Sequence, residues 1–201
     1  MLRRSPSRLC VVVGLGNPGP DYARTRHNVG ARTVWGWAQE RRLDFKKSRS
    51  FKSLIAEGQD SSRPFWLVLP QTFMNLSGVA VQAVVRKKAV SAGRLLVVHD
   101  DVDLPLGTVR FKEGGSDGGH NGLASCIAHL GNSDFVRLRI GVGPRPAGED
   151  LSDFVLARFS RGEEPAARQA GEAARRALTL WLAQDTASCM NTYNRKERAS
   201  K

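Results

Sequence analysis

Leu9-Cys10-Val11-Val12-Val13-Gly14-Leu15-Gly16-Asn17-Pro18-Gly19 decides the fold class. An apolar run rich in valine that stops at glycine reads as a buried strand feeding a loop. The loop satisfies the G-x-G-x-x-G dinucleotide pattern literally. Against that reading, Pro18-Gly19-Pro20 makes a rigid turn where a helix should start, and proline offers no N–H to a pyrophosphate. Glu40 stands near the distance of a ribose-binding acid but falls inside a helical pattern instead of closing a second strand. A nicotinamide-dependent oxidoreductase is therefore disfavoured.

Outward from this strand, residues 28–42 carry Val29, Val34, Trp37 and Ala38 on one side and read as an amphipathic helix. Segments 51–57 and 65–69 are strands that pair antiparallel around Asp60-Ser61-Ser62-Arg63-Pro64. Helical spacing covers 77–88 and 121–130, strand character covers 95–98, 107–111 and 135–142, and the alanine-rich 163–194 is helical. Asp103-Leu104-Pro105-Leu106-Gly107 reads as a turn. The alternation predicts an α/β fold: a single-domain three-layer sandwich with a twisted mixed β-sheet flanked by helices, spanning 9–194 between basic tails at 1–8 and 195–201. Sites in such sheets gather beyond strand ends, so Asn17, His27, Asn75, Asp100 and Asn121 are expected in one crevice.

A chain of 201 residues with 41% hydrophobic content has material for one core. Its 31 Lys and Arg against 19 Asp and Glu leave a net charge of +12, which suits a polyanionic partner. Cys10, Cys126 and Cys189 are odd in number and widely spaced, which argues against a disulfide framework or zinc site and for a reducing compartment. No segment approaches the roughly 20 apolar residues of a membrane span. A soluble, cytoplasmic chain without a membrane partner is expected, the basic opening being read as a tail and not as an organellar transit peptide.

His27 sits beside polar amides in a tight loop and has the character of a general base; Asp100 could orient it. His99-Asp100-Asp101-Val102-Asp103 offers metal-ligand types, but alternation along a strand sends Asp100 and Asp101 opposite ways, so no metal is expected. The Gly-rich stretch from Gly114 to Gly122 is a flexible approach to a ligand or a linker, and Asn121 at the helix entry is either a cap or a ligand contact. Asn75, after Thr72-Phe73-Met74, has the same two readings, and Met74 alone would pass as core filler. Lys46-Lys47-Ser48-Arg49-Ser50-Phe51-Lys52 reads as a solvated loop available to phosphodiesters.

Taken together, Gly14-Leu15-Gly16-Asn17-Pro18-Gly19, Thr25-Arg26-His27-Asn28, Thr72-Phe73-Met74-Asn75, His99-Asp100-Asp101-Val102-Asp103 and Gly118-Gly119-His120-Asn121-Gly122 resemble, in order and spacing, the bacterial-type peptidyl-tRNA hydrolases. The resemblance implies hydrolysis of the ester between a peptide and the terminal ribose of tRNA, with peptidyl-tRNA as partner, no metal or organic cofactor, and a monomer. It makes His27 the group that takes a proton from water and Asp100 the group that holds its tautomer. It assigns substrate contacts to Asn17, Tyr22, Met74, Asn75, His120 and Asn121, and tRNA phosphate contacts to Arg110, Lys112 and Arg139. One departure is the loop Pro144-Arg145-Pro146-Ala147-Gly148-Glu149-Asp150, which lacks the lysines the family pattern has near its middle, keeps Arg145 as a possible substitute, and adds the acids Glu149 and Asp150. A non-catalytic RNA-binding relative on the same fold is the rival, and retention of His27 and Asp100 weighs against it.

Overall fold

A computed structural model describes residues 8–60 and 63–194, so the two terminal tails lie almost wholly outside the described residues. Seven strands form one sheet: β1 (Cys10–Gly14), β2 (Lys46–Ser48), β3 (Ser53–Asp60), β4 (Arg63–Pro70), β5 (Leu95–Pro105), β6 (Val109–Glu113) and β7 (Val136–Gly143), in the order β2-β3-β4-β1-β5-β7-β6. The inner four are parallel, whereas β2, β3 and β6 join antiparallel at the two edges. Among the described residues six α-helices cover the faces: α1 (Val29–Glu40), α2 (Ser77–Lys88), α3 (Asn121–Leu130), α4 (Leu151–Leu156), α5 (Glu164–Ala183) and α6 (Thr186–Tyr193).

Strand alternation divides the core in two. Cys10, Val12, Phe65, Leu67, Leu96 and Val98 face a layer built from α1, α4, α5 and α6. Val11, Val13, Trp66, Val68, Leu95 and Val97 face α2 and α3. Inner parallel strands buried on both faces explain why β1, β4 and β5 read as unbroken apolar runs.

Three local expectations need correction. The basic run at 46–52 begins as an edge strand, β2, whose exposed lysines are the kind of charge that blocks edge-to-edge association. The turn foreseen at 103–107 starts later, because β5 continues to Pro105 through a register shift against β7 between Asp101 and Pro105. The short α4 was not foreseen; Asp150 caps it, its carboxylate accepting from the Ser152 and Asp153 amides at 2.8 and 3.2 Å. One of the acids that departs from the family pattern thus has a structural task.

Gly14 at the end of β1 and Gly30 in the first turn of α1 serve packing. Leu15 donates its N–H to Val98 O at 3.0 Å and accepts from Ala31 at 2.8 Å, bringing α1 down onto the ends of β1 and β5. A Cβ on Gly30 would lie 2.3 Å from Val98 O, and one on Gly14 would lie 2.8 Å from Gly30 O.

Gly30→Ala should therefore cost about 3 kcal/mol, the upper end of overpacking penalties. Gly36→Ala, in the same helix with only ordinary contact to Arg175 at 3.5 Å, should gain about 0.5–1 kcal/mol. Urea unfolding midpoints of the two variants measure both signs.

Candidate active site

His27 lies in a 3-10 turn (Arg26–Asn28) that leads into α1, and the turn is fastened from several sides. Arg26 donates its backbone N–H to Ala157 O at 3.0 Å, and its buried guanidinium lies 2.9 Å from Glu163 Oε2 between the rings of Phe154 and Phe159. Asn28 locks the preceding loop: its Oδ1 accepts from the Asn17 amide at 2.9 Å, and its Nδ2 donates to Asn17 O at 2.8 Å. Asn17 Oδ1 in turn accepts from the Met74 amide at 2.7 Å. Two of the quoted motifs are thereby joined by one asparagine side chain.

Asp100 stands inside β5, paired in register with Ile140, and not past the strand's end. His27 Nδ1 lies 2.9 and 3.0 Å from its two carboxylate oxygens, and His120 Nε2 lies 3.0 Å from Oδ1. Burial alone would raise the pKa of this carboxyl. The His120 and His27 rings overcome that by charge and by hydrogen bonds, holding it well below the usual carboxylate range. An ionised Asp100 only accepts, so His27 Nδ1 carries a proton, and in the neutral ring the lone pair is at Nε2. Asp101 points the other way and binds Arg139 Nε at 2.6 Å, as strand alternation requires.

His120, not Asn121, is the N-cap of α3: its Nδ1 accepts from Gly122 N at 3.0 Å and Leu123 N at 3.3 Å. Asn121 is exposed and free to contact a ligand. His99, on the adjacent strand position, donates Nδ1–H to the Asp100 carbonyl at 2.7 Å and packs edge-on against His120 at 5.1 Å between ring centroids. Its Nε2 is buried without a hydrogen-bond partner among the described residues. Burial, aided by His120, pushes the His99 pKa down to about 3.

These groups line a cavity of about 800 Å³. Asn17, His27, Met74, Asn75, Asp100, His120 and Asn121 all face it, as the sequence foresaw for one crevice, and so do Lys112 and Arg139. Tyr22 and Arg110 are not among its lining residues. Tyr22 packs edge-on against Phe73, which lines the cavity, with 6.4 Å between centroids. Arg110 pairs in register with Arg139 across β6 and β7. Arg137, unnoticed in the sequence beyond its alternation with Arg139, is buried and donates to Gly115 O and Ser116 O, pinning the Gly-rich loop that leads to His120.

The ligating atoms of His27, Asp100 and His120 lie within 4.8 Å of one another, a constellation open to a metal. As arranged, two ring N–H groups already occupy the carboxylate. None of the three cysteines is among the lining residues, and burial pushes the thiols of Cys126 and Cys189 up to about 12 and about 11.

The model of a family described as peptidyl-tRNA hydrolase matches residues 11–201. A relative named peptidyl-tRNA hydrolase from Desulfitobacterium hafniense (strain Y51) is 42% identical over 185 residues, covering 92% of this chain and 99% of its own. One from Roseiflexus castenholzii (strain DSM 13941 / HLO8) is 47% identical, covering 92% and 86%. Among solved structures, peptidyl-tRNA hydrolase from Acinetobacter baumannii superposes with a TM-score of 0.88 at 33% identity, covering 96% of this chain and 97% of that one.

The His99 shift sets a pH dependence. Between about pH 6.5 and 3 the unfolded chain binds a proton at this residue that the folded chain refuses, so stability falls on acidification, by roughly 1 kcal/mol per pH unit from this group. His99→Gln should flatten that slope. Unfolding free energies at pH 7, 6, 5 and 4 for both proteins check it.

Proposed function

The chain belongs to the peptidyl-tRNA hydrolase family, and on that premise we propose that it cleaves the ester joining a peptide to the terminal ribose of tRNA, with His27 as general base. The observation that carries the assignment is the hydrogen bond from His27 Nδ1 to Asp100, which leaves the other ring nitrogen basic in a residue that lines the cavity. Water bound at Nε2 gives up a proton as its oxygen bonds to the ester carbonyl carbon. The imidazolium that forms is stabilised by Asp100. Collapse of the tetrahedral species breaks the bond to the ribose oxygen, which takes the proton back from His27. The products are a peptide carboxylic acid and a tRNA with a free ribose hydroxyl.

Around this step, Asn17, Asn75 and Asn121 supply amide donors for the developing oxyanion and for the peptide backbone. Asn17 is the best fixed of the three, since its Oδ1 is committed to the Met74 amide and its Nδ2 remains to donate. Met74 and the Tyr22–Phe73 pair form the apolar side of the peptide path. Lys112 is the more available phosphate contact. Arg139 shares its charge with Asp101, so it contributes direction more than net attraction. Arg110 stands beside Arg139 as its register partner across β6 and β7. A monomer working in the cytoplasm is part of the reading, in keeping with three buried free cysteines.

His27→Ala should lower hydrolysis of an N-blocked aminoacyl-tRNA by about 10²- to 10⁴-fold while leaving tRNA affinity nearly unchanged. Release of free tRNA and a filter-binding titration read the two quantities, and comparable turnover in the variant overturns the assignment. Lys112→Ala should instead weaken binding and reduce the slope of log affinity against log salt by about 1. A slope equal to that of the parent protein removes Lys112 from the phosphate contact.

A further inference from the structure

We infer that His120 is a positioning residue that acts through Asp100, and not a group that contacts substrate; this rests on the reading of His27 and Asp100 given above. The inference comes from how completely its ring is committed. Nδ1 accepts two backbone N–H groups, from Gly122 and Leu123, and so must keep its lone pair. The ring proton is thereby forced onto Nε2, which sits 3.0 Å from Asp100 Oδ1 and donates to it. Both nitrogens are spent, and the side chain is 8% exposed.

The consequence lies in Asp100. Its Oδ1 receives two N–H donors, one from each imidazole, and the tilted rings of His27 and His120 stand 4.7 Å apart between centroids. A carboxylate held by one donor can rotate or slide along that donor; held by two from different segments, its plane is fixed. The second donor is itself anchored to the start of α3, and His99 fixes the backbone carbonyl of the same aspartate. His120 therefore transmits the rigidity of a helix terminus to the orientation of the general base.

Two variants separate the cap from the carboxylate contact. His120→Asn retains an acceptor at the capping position but cannot reach Asp100. His120→Gln reaches toward Asp100 but abandons the cap. His120→Asn should keep its thermal midpoint close to the parent value, lose about tenfold or more in kcat and leave KM little changed. His120→Gln should melt about 2–4 °C lower and retain more of kcat. A readout that needs no substrate is the nitrogen-15 signature of the His27 ring, whose Nδ1–H tautomer should lose population in His120→Asn and be restored in part in His120→Gln. Parent-like kcat in His120→Asn, or a rise in KM with kcat unchanged, overturns the inference; so does a His27 tautomer indifferent to both substitutions. If the parent protein releases no tRNA while the tautomer responds as expected, the positioning role stands and the substrate assignment falls.

Discussion

The Asp100 carboxylate is the point on which the site depends. Burying an ionised carboxylate in an apolar sheet is unfavourable unless its oxygens are satisfied, and here two imidazole N–H groups satisfy them. Those imidazoles come from segments 73 residues before and 20 residues after the aspartate. Neither ring would be held without the sheet that brings their segments together. The parallel pairing of β1 and β5 puts the loop before α1 beside Asp100, and the pairing of β5 with β7 sets Arg137 where it can hold the Gly-rich loop that ends at His120. Topology and electrostatics are thus one constraint: the fold delivers the two donors, and the donors make the buried charge tolerable.

Much of this was legible from residue patterns. Runs of valine and leucine bounded by glycine or proline located β1, β4 and the first half of β5, because strands buried on both faces leave little room for anything else. The bounds of α3 fell where a Gly-rich loop gives way to apolar spacing. Illegible were features that depend on partners distant in sequence. Nothing local marks Lys46–Ser48 as a strand, since its pairing with β3 supplies the structure. The extension of β5 past Asp100 depends on β7, and α4 is six residues long with its cap hidden in an acidic loop.

The site divides along the same line. His27 and Asp100 were visible because base and orienter have recognisable chemistry. Asn28 and Arg26 flank His27 within the same motif but carry no chemical signature of their role, since their work is to hold the turn and not to react. His120 was placed among substrate contacts and its neighbour Asn121 was read as a possible cap. Asparagine is the commoner cap by propensity, but tertiary context gave the role to the histidine, whose ring reaches both the α3 amides and Asp100. Tyr22 is expected as a substrate contact and Arg110 as a phosphate contact; Tyr22 packs on Phe73 and Arg110 stands beside Arg139, each of those neighbours being a residue that lines the cavity.

The distribution of charge around the cavity follows from this design. A net charge of +12 draws a polyanion toward the molecule from a distance, an effect that depends on the whole surface and is screened by salt. Close to the chemistry the balance changes. Arg139 is paired with Asp101, and the Arg137 guanidinium is turned to backbone carbonyls of the loop. Among the described residues that line the wall, Lys112 is the cation held neither by an ion pair nor by loop carbonyls. An unpaired cluster of guanidinium groups beside His27 would favour its neutral form and oppose the imidazolium that forms when water is deprotonated. Arg139 is paired with Asp101 and Arg137 is spent on the loop, so a strongly basic protein attracts an anionic substrate while Asp100 is the carboxylate hydrogen-bonded to the His27 ring.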